Sequence, residues 1–246
     1  MEDLQIVVGR NAVFEAIAAG RGVESLLIQT GERRGYILKI IAAAKERGIP
    51  VKEAAREKLD GLSGEASHQG VVLILSAYRY AEIEEPFALA RERGEFPLLV
   101  VLDEIADPHN LGAIIRTAEA VGAHGVIIPK RRAAGLTPVA AKAACGALEY
   151  LPVVRVTNLA AALEYLKKQN LFIYGADMAG GDYTKRDYTV GTAIVIGSEG
   201  SGLRRLIKEK CDEIISLPMP GRMESLNASV ACGVLIYEAV RQRHLL

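Results

Sequence analysis

The stretch LLVVLDEIADPHNLGAIIRTAEAVGAHGVIIP, residues 98–129, predicts a strand, a helix and a second strand in succession. LLVVL and GVIIP are continuous apolar runs, which are typical of strands that are buried on both faces of a sheet. Between them, Leu111, Ile114, Ile115 and Ala118 share one face of a helix predicted from about Leu111 to Val121. This pattern favours a parallel sheet that is covered by helices on both sides.

The same alternation continues toward the end of the chain. Further strands are predicted at PVVRV, LFIYGAD, TAIVIG and EIISLP, and further helices at Pro138 to Ala144, Leu159 to Lys168, Leu203 to Lys210 and the C-terminal segment. Residues 98–246 are therefore predicted to form one α/β domain with a parallel sheet. Ligands of such sheets bind outside the carboxyl ends of the strands, so the loops at those ends are the expected place of a site.

Residues 1–78 predict a second, smaller α/β domain. Helices are predicted at residues 10–19, with Gly20 as the stop, and from Tyr36 to Arg47 with an apolar face and Gly48 as the stop. ESLLIQ and residues 68–78 have the composition of strands. The acidic stretch within residues 79–97 is predicted to be a linker between the two domains.

The overall composition predicts a soluble globular protein. Lysine plus arginine and aspartate plus glutamate number 30 each, so the net charge gives no indication of a nucleic-acid partner. Local basic clusters such as Lys130-Arg131-Arg132 are nevertheless present. No apolar run is long enough to span a membrane and no signal-peptide pattern is seen, so we expect a cytoplasmic protein. The three cysteines are widely separated, and we expect neither disulfides nor a metal site.

The helix after the first strand of the larger domain carries Arg116 opposite its apolar face. Its neighbours at helical spacing include Gly112, Ala113 and Glu119. One interpretation is a solvated arginine that pairs with Glu119. The other is that the small neighbours leave room for a substrate phosphate, which a guanidinium binds well. Asn110 is expected to cap this helix or to hold the preceding turn in shape.

A second loop, in AIVIGSEGSGLRRLI at residues 193–207, combines three glycines with one carboxylate. Gly197, Gly200 and Gly202 allow backbone N–H groups to approach a ligand, but their spacing matches neither GxGxxG nor a P-loop. Glu199 would repel a phosphate and suits a ligand that is cationic or that donates hydrogen bonds. An ordinary tight turn is the alternative.

A third loop follows the strand EIISLP. Pro218, Pro220 and Gly221 predict a rigid turn whose backbone groups can bracket a flat ring. A polar cluster, Glu224-Ser225-Leu226-Asn227, comes next, and Ser225 or Asn227 either caps the last helix or faces a ligand. The small residues between Ala228 and Gly233 suit a tight core or a subunit interface.

Together these segments resemble the three sequence motifs of the SpoU (TrmH) family of the SPOUT superfamily, the S-adenosylmethionine-dependent RNA ribose 2′-O-methyltransferases. The matching stretches are NLGAIIRTAEA at 110–120, VIGSEGSGL at 195–203 and LPMPGRMESLNASVACGVLIYE at 217–238. VGRNAVFEAI and SHQGVVL are similar to the small L30e-like substrate-binding domain that is fused to many members. Within the family, the whole chain is most similar to bacterial members that methylate a guanosine ribose of 23S rRNA.

The resemblance implies a C-terminal SPOUT domain with a deep trefoil knot, which is an exception to general topology rules. It also implies S-adenosylmethionine as the methyl donor, RNA as the substrate, and a homodimer in which the last helix packs between the subunits. No metal and no membrane are implied. The sulfonium cation of the methyl donor would account for the carboxylate in the glycine-rich loop.

The resemblance further assigns roles to particular residues. Arg116 corresponds to the catalytic arginine of the family, and we expect it to grip an RNA phosphate and stabilise the developing alkoxide, because arginine rarely gives up its proton. Asn110, Glu199, Ser225 and Asn227 are expected to orient Arg116 and the ribose. The residues expected to hold the cofactor are Gly197, Gly200, Leu217, Met219 and Leu226.

Three alternative functions remain open on the sequence alone. The first is a tRNA 2′-O-ribose methyltransferase of the same family. The second is a non-catalytic RNA-binding protein, which the small N-terminal domain would suit. The third is a nucleotide-binding enzyme whose glycine-rich loop holds phosphates.

Overall fold

The structure is a computed structural model that describes residues 5–19, 22–64, 66–75, 78–223 and 225–244. Gly20, the predicted stop of the first helix, and Glu224 of the predicted polar cluster lie outside those residues. The chain divides into two compact units. One comprises Met1–Arg79 with Gly135–Pro138, and the other comprises Tyr80–Ala134 with Val139–Leu246.

The first unit is built on a four-stranded mixed sheet, so the predicted small α/β domain is confirmed. Its elements are β1 (Ile6–Val8), α1 (Arg10–Ala18), β2 (Val23–Gln29), α2 (Tyr36–Glu46), β3 (Val51–Ala54), α3 (Arg56–Ser63) and β4 (Val71–Leu75). The strand order is β1-β4-β2-β3, with β2 and β3 parallel. The predicted apolar face of α2 is buried, and α2 ends just before Gly48, whose φ of 64° is left-handed.

The second unit contains a six-stranded parallel sheet, as predicted. Its elements are α4 (Glu85–Arg93), β5 (Leu98–Leu102), α5 (Pro108–Ala120), β6 (Gly125–Pro129), α6 (Pro138–Ala144), β7 (Val153–Val156), α7 (Leu159–Lys168), β8 (Phe172–Asp182), β9 (Thr192–Ile196), α8 (Arg205–Lys210), β10 (Glu213–Ser216) and α9 (Ala228–His244), with 3₁₀ helices at Ala147–Glu149 and Tyr183–Lys185. Strands β5, β6 and β9 are buried along their whole length, which explains their continuous apolar sequence.

Of the segment predicted as a linker, residues 79–97, all but Arg79 instead belong to the second unit. Ala81 forms a bridge with Val154, and α4 buries Phe87 and Ala90. Phe87 packs in the core that lies against α7, with its ring edge-on to Tyr165. The sequence pattern did not reveal α4, because this short helix has few core positions and carries acidic residues on its exposed side.

The strand order β10-β8-β9-β5-β6-β7 brings three important loops near one another, with β8 between the strands of two of them. The loops after β5, β9 and β10 all leave the carboxyl edge of the sheet, because every neighbouring pair in this sheet is parallel. These are the three loops that the sequence selected. The trefoil knot stays a prediction. Within the described residues, no helix is long and apolar enough to cross a membrane.

Candidate active site

A cavity of about 350 Å³ lies at the carboxyl edge of the parallel sheet. Such a volume is within the range of pockets that hold cofactors and other small ligands. All five residues predicted to hold a cofactor line it, together with Glu199 and Ser225: they are Gly197, Gly200, Leu217, Met219 and Leu226. Two of the three loops, those after β9 and β10, therefore form walls of one cavity.

The glycine-rich loop folds tightly at the mouth of this cavity. Ser198 and Gly202 exchange backbone hydrogen bonds of 3.1 and 2.9 Å. A Cβ at Gly197 would overlap the backbone of Gly202 and Leu203, so only glycine fits there. Nothing lies within 4 Å of a Cβ built at Gly200, which leaves that backbone open to the cavity.

A hydrogen-bond network centred on Glu199 joins all three loops. Its Oε1 accepts from Asn110 Nδ2 at 2.9 Å, from Asn227 Nδ2 at 2.6 Å and from the backbone N–H of Ala228 at 3.2 Å. Asn227 Nδ2 also donates to Asn110 Oδ1 at 2.9 Å. The carboxylate thus sits at the N-terminus of α9, where the helix dipole stabilises negative charge.

Asn227 is also the cap of α9, as one interpretation of the sequence predicted. Its Oδ1 accepts from the backbone N–H groups of Ser229 and Val230 at 3.0 and 3.3 Å. The amide oxygen of Asn227 therefore caps α9, while its amide nitrogen donates to Glu199 and Asn110. Asn110 differs from its prediction as a cap: α5 begins at Pro108, and Asp107 caps it by accepting from His109 N–H at 2.9 Å.

Arg116 is not part of this network. It is exposed, and its Nη1 donates to Cys145 Sγ at 3.4 Å; the predicted alternative pairing with Glu119 is not formed between the described side chains. Arg116 lies six positions after Asn110 in the helix, which turns its side chain by about 240° and advances it by about 9 Å along α5. The structure therefore places Glu199 and Ser225 in the wall of the cavity and joins Asn110 and Asn227 to Glu199 by hydrogen bonds. Arg116 lies on a different face of α5.

The small-residue notch predicted beside Arg116 is partly filled. A Cβ at Gly112 would overlap Ala140 O and Ala143 Cβ of α6. Gly112 therefore allows close helix packing rather than making room for a substrate. The sequence could not distinguish these two uses of a glycine.

Two acidic residues of the site were missed by the sequence analysis. Asp103, which directly follows β5, is fully buried and binds Arg204 through Oδ2 to the backbone N–H at 2.9 Å and through Oδ1 to Nε at 2.7 Å. This ion pair ties the end of the glycine-rich loop to β5. Asp177 on β8 lines the cavity and pairs with Lys208 Nζ at 2.8 Å.

The electrostatics of the cavity disfavour an anionic ligand. Among the described residues that line it, two are carboxylates, Glu199 and Asp177, and none is lysine or arginine. A nucleotide phosphate would meet no lysine or arginine in the described wall itself, and Lys208 behind Asp177 is already paired with that carboxylate. The remaining wall is largely apolar, with Ile196, Ile215 and Leu235. The site therefore suits a ligand with an apolar or aromatic body and a positive charge or hydroxyl groups.

Across the described ranges, no group of three or more histidine, cysteine, aspartate or glutamate side chains could hold a metal ion.

Comparisons with known proteins identify the family to which this sequence is similar. Residues 97–237 match the model of the SpoU rRNA Methylase family, and residues 6–81 match the model described as RNA 2'-O ribose methyltransferase substrate binding. The chain is 48% identical over 239 residues to YacO of Bacillus subtilis (strain 168), whose name places it in the TrmH family of tRNA/rRNA methyltransferases; the match covers 97% of this chain and 96% of YacO.

Solved structures give the same result. The SpoU methyltransferase AviRb of Streptomyces viridochromogenes, in complex with AdoMet, matches with a TM-score of 0.61 and 28% identity over 97% of this chain and 90% of AviRb. An AdoMet-bound rRNA methyltransferase from Sinorhizobium meliloti matches with 0.58 and 27% over 98% of this chain and 87% of the other. The A. aeolicus TrmH/SpoU tRNA modifying enzyme matches with 0.55 and 30%, over 66% of this chain and 85% of the other.

The fold and these matches define the class of protein as RNA methyltransferase. The chain belongs to the SpoU (TrmH) family, since the family model covers residues 97–237 and a relative 48% identical is matched along nearly its whole length.

Proposed function

We propose that this protein transfers the methyl group of S-adenosylmethionine to a ribose 2′-hydroxyl of 23S rRNA, at a guanosine. S-adenosylmethionine is the methyl donor. The observation that carries the proposal is the cavity whose described wall contains two carboxylates and no lysine or arginine, together with the Asn110–Glu199–Asn227 network beside it. The sulfonium and the adenosyl group of the donor match the negative charge and the apolar wall of that cavity.

Different residues of the protein are proposed to bind the donor, to position the ribose and to assist the loss of its proton. The backbone of the glycine-rich loop, with Leu217, Met219 and Leu226, would hold the donor, which supplies an electrophilic methyl group on sulfur. Glu199, fixed by three donors to Oε1, would face the sulfonium side with its second oxygen. Ser225, exposed at the cavity rim, would position the ribose. Alignment of this kind lowers the barrier of a displacement by several kcal/mol, up to about 7–11 in the best cases.

Arg116 is proposed to act on the RNA. An exposed guanidinium that forms no ion pair with the described carboxylates can bind a backbone phosphate and stabilise the alkoxide that forms as the hydroxyl loses its proton. The proton would pass to that phosphate or to water. Binding through phosphates predicts that RNA affinity falls as salt is raised from low to moderate concentration.

Ribosomal RNA is favoured over tRNA by the extent of the similarities. The Sinorhizobium rRNA methyltransferase aligns with 98% of this chain, whereas the A. aeolicus tRNA modifying enzyme aligns with 66%. The substrate-binding module at residues 6–81 is thus shared with a protein that acts on rRNA. An enzyme for ribosomal RNA works in the cytoplasm, so the proposal includes that location.

The proposed active form is a homodimer joined through α9. Val230, Val234 and Tyr237 repeat at helical spacing and are 52%, 39% and 55% exposed. An exposed apolar stripe on a helix is typical of an interface. Gly233 of the same helix faces Thr117, so this stripe lies along α5, the helix that carries Arg116.

The test is to incubate the protein with labelled S-adenosylmethionine and 23S rRNA from cells that lack the modification, and to map the labelled ribose. We expect one labelled guanosine in 23S rRNA and none in tRNA. Label in tRNA alone would identify the other RNA class as the substrate. Binding of RNA without transfer would favour a non-catalytic RNA-binding protein.

A further inference from the structure

The two carboxylates of the cavity have different partners. Glu199 accepts only from amide and backbone N–H groups, so its charge is not neutralised by any described side chain. Asp177, in contrast, is paired with the ammonium of Lys208 at 2.8 Å. Both partners of Asp177, Lys208 Nζ and the N–H of Ala179 at 3.1 Å, bind the same oxygen, Oδ1.

The other oxygen of Asp177 is left open toward the cavity. Among the described residues, no group donates a hydrogen bond to Oδ2, although the side chain is only 19% exposed. A Cβ built at Gly202, which also lines the cavity, would be in van der Waals contact with Oδ2 at 3.6 Å, so Oδ2 lies beside the glycine-rich loop. Burial opposes ionisation of Asp177, but Lys208 and the N–H of Ala179 outweigh it and hold the pKa of Asp177 below its ordinary value. Asp177 is thus ionised, and its Oδ2 can still accept hydrogen bonds from a ligand.

The charge of Lys208 decides which donor suits this acceptor. A ligand ammonium at Oδ2 would lie within a few ångströms of Lys208 Nζ and would be repelled by it. A hydroxyl carries no charge and gains the full hydrogen bond to a carboxylate. Carboxylates accept from ribose hydroxyls in this way in dinucleotide-binding α/β folds.

We propose that Asp177 Oδ2 accepts hydrogen bonds from the ribose hydroxyls of bound S-adenosylmethionine. The cofactor then lies with its adenosyl ribose toward β8 and its sulfonium toward Glu199. Strand β9 stands between β8 and β5, so Asp177 lies on the side of the cavity away from Asn110. This inference rests on the proposed function and assigns the contact that fixes the orientation of the cofactor.

The test is calorimetric titration of the full chain with S-adenosylhomocysteine and with its 2′-deoxy and 3′-deoxy forms. Wild type, Asp177→Asn and a matched control, Glu164→Gln, are compared. Glu164 pairs with Lys210 at 2.7 Å, so the control removes an equivalent ion pair of α8 from a residue that does not line the cavity. Thermal melting of each variant verifies that it is folded.

We expect Asp177→Asn to weaken binding of S-adenosylhomocysteine by about tenfold, and removal of a ribose hydroxyl to weaken wild-type binding by a similar factor. The two losses should not add, because they remove the same hydrogen bond. Glu164→Gln should bind as wild type does.

Two results would overturn the inference. One is equal affinity of the wild type for the parent and both deoxy ligands, a measurement that needs no variant. The other is that Asp177→Asn does not weaken the binding of 5′-methylthioadenosine, which keeps the ribose and lacks the ammonium. Failure of the wild type to bind either S-adenosylmethionine or S-adenosylhomocysteine would instead contradict the proposed function itself.

Discussion

Asn227 Nδ2 donates to Glu199 Oε1 across 2.6 Å, and this bond joins the turn before α9 to the loop after β9. Because the other end of the same amide caps α9, the position of Glu199 depends on the start of the last helix. The carboxylate is therefore held in one place before any ligand arrives.

Glu199→Gln should weaken S-adenosylmethionine binding by about tenfold, because it removes the charge that we propose to face the sulfonium while leaving Oε1 as an acceptor. Binding of S-adenosylhomocysteine, which has no sulfonium, should change little. Calorimetric titration with both ligands measures the ratio. An equal loss for the two ligands would show that Glu199 does not sense the sulfonium charge.

Asp103→Ala should lower the free energy of unfolding by roughly 1.5–3 kcal/mol, because it removes the hydrogen bonds of a buried carboxylate to the backbone and side chain of Arg204. Arg204 is partly exposed and keeps Glu104 at 3.4 Å, so no unpaired buried charge remains. Urea denaturation provides the measurement. The control is Glu209→Ala, which removes the exposed partner of Arg205 and should cost less than about 0.5 kcal/mol. Equal effects of the two substitutions would contradict the assignment.

Stability should fall at alkaline pH because of two cysteines. Burial raises the pKa of Cys211 and of Cys232 to about 12, whereas an unfolded thiol ionises near about 8.5. Between these values the unfolded state loses protons that the folded state keeps, so the free energy of unfolding decreases as pH rises, by about 2 kcal/mol per thiol at pH 10.

Urea denaturation at pH 8 and pH 10 tests this dependence on pH. Cys232→Ala should reduce the difference between the two pH values, and Cys145→Ser, at an exposed position, should leave it unchanged. A difference that is identical in all three proteins would mean that the buried thiol does not contribute.

Val234→Glu should convert the proposed dimer into a monomer, because it places a charge in the middle of the exposed stripe of α9. Light scattering coupled to size-exclusion chromatography gives the mass directly. Leu206→Glu, at an exposed leucine of α8, is the control and should leave the dimer intact. A wild type that runs as a monomer would refute the proposed interface.

Strong periodic segments made most of the second unit predictable. The limits of α7 and α6 agree with the predicted ones, and the buried strands β5, β6 and β9 were recognisable as apolar runs. The helix α4 was missed because only a few core positions, Phe87 and Ala90 among them, mark it within an acidic segment. Propensity and charge pointed to a linker, and tertiary packing decided otherwise.

The site was predictable as far as its loops, and less so in its contacts. Glu199, Asn110 and Asn227 lie far apart in the sequence, so their network required the strand order. Asp177 gave no signal, because a single aspartate near the end of a strand is common and its pairing with Lys208 depends on packing. Arg116 was placed near these residues by resemblance, and in this chain it contacts Cys145 instead.

The most direct test of the account compares donor binding with methyl transfer in wild type, Arg116→Ala and a control, Arg205→Ala, whose arginine is also exposed and lies on α8. S-adenosylmethionine affinity is measured by calorimetry, and transfer by single-turnover incorporation of label into 23S rRNA. We expect Arg116→Ala to bind the donor as wild type does and to transfer methyl at least about a hundredfold more slowly, with Arg205→Ala unchanged. Loss of donor binding in Arg116→Ala, or transfer at the wild-type rate, would contradict the account.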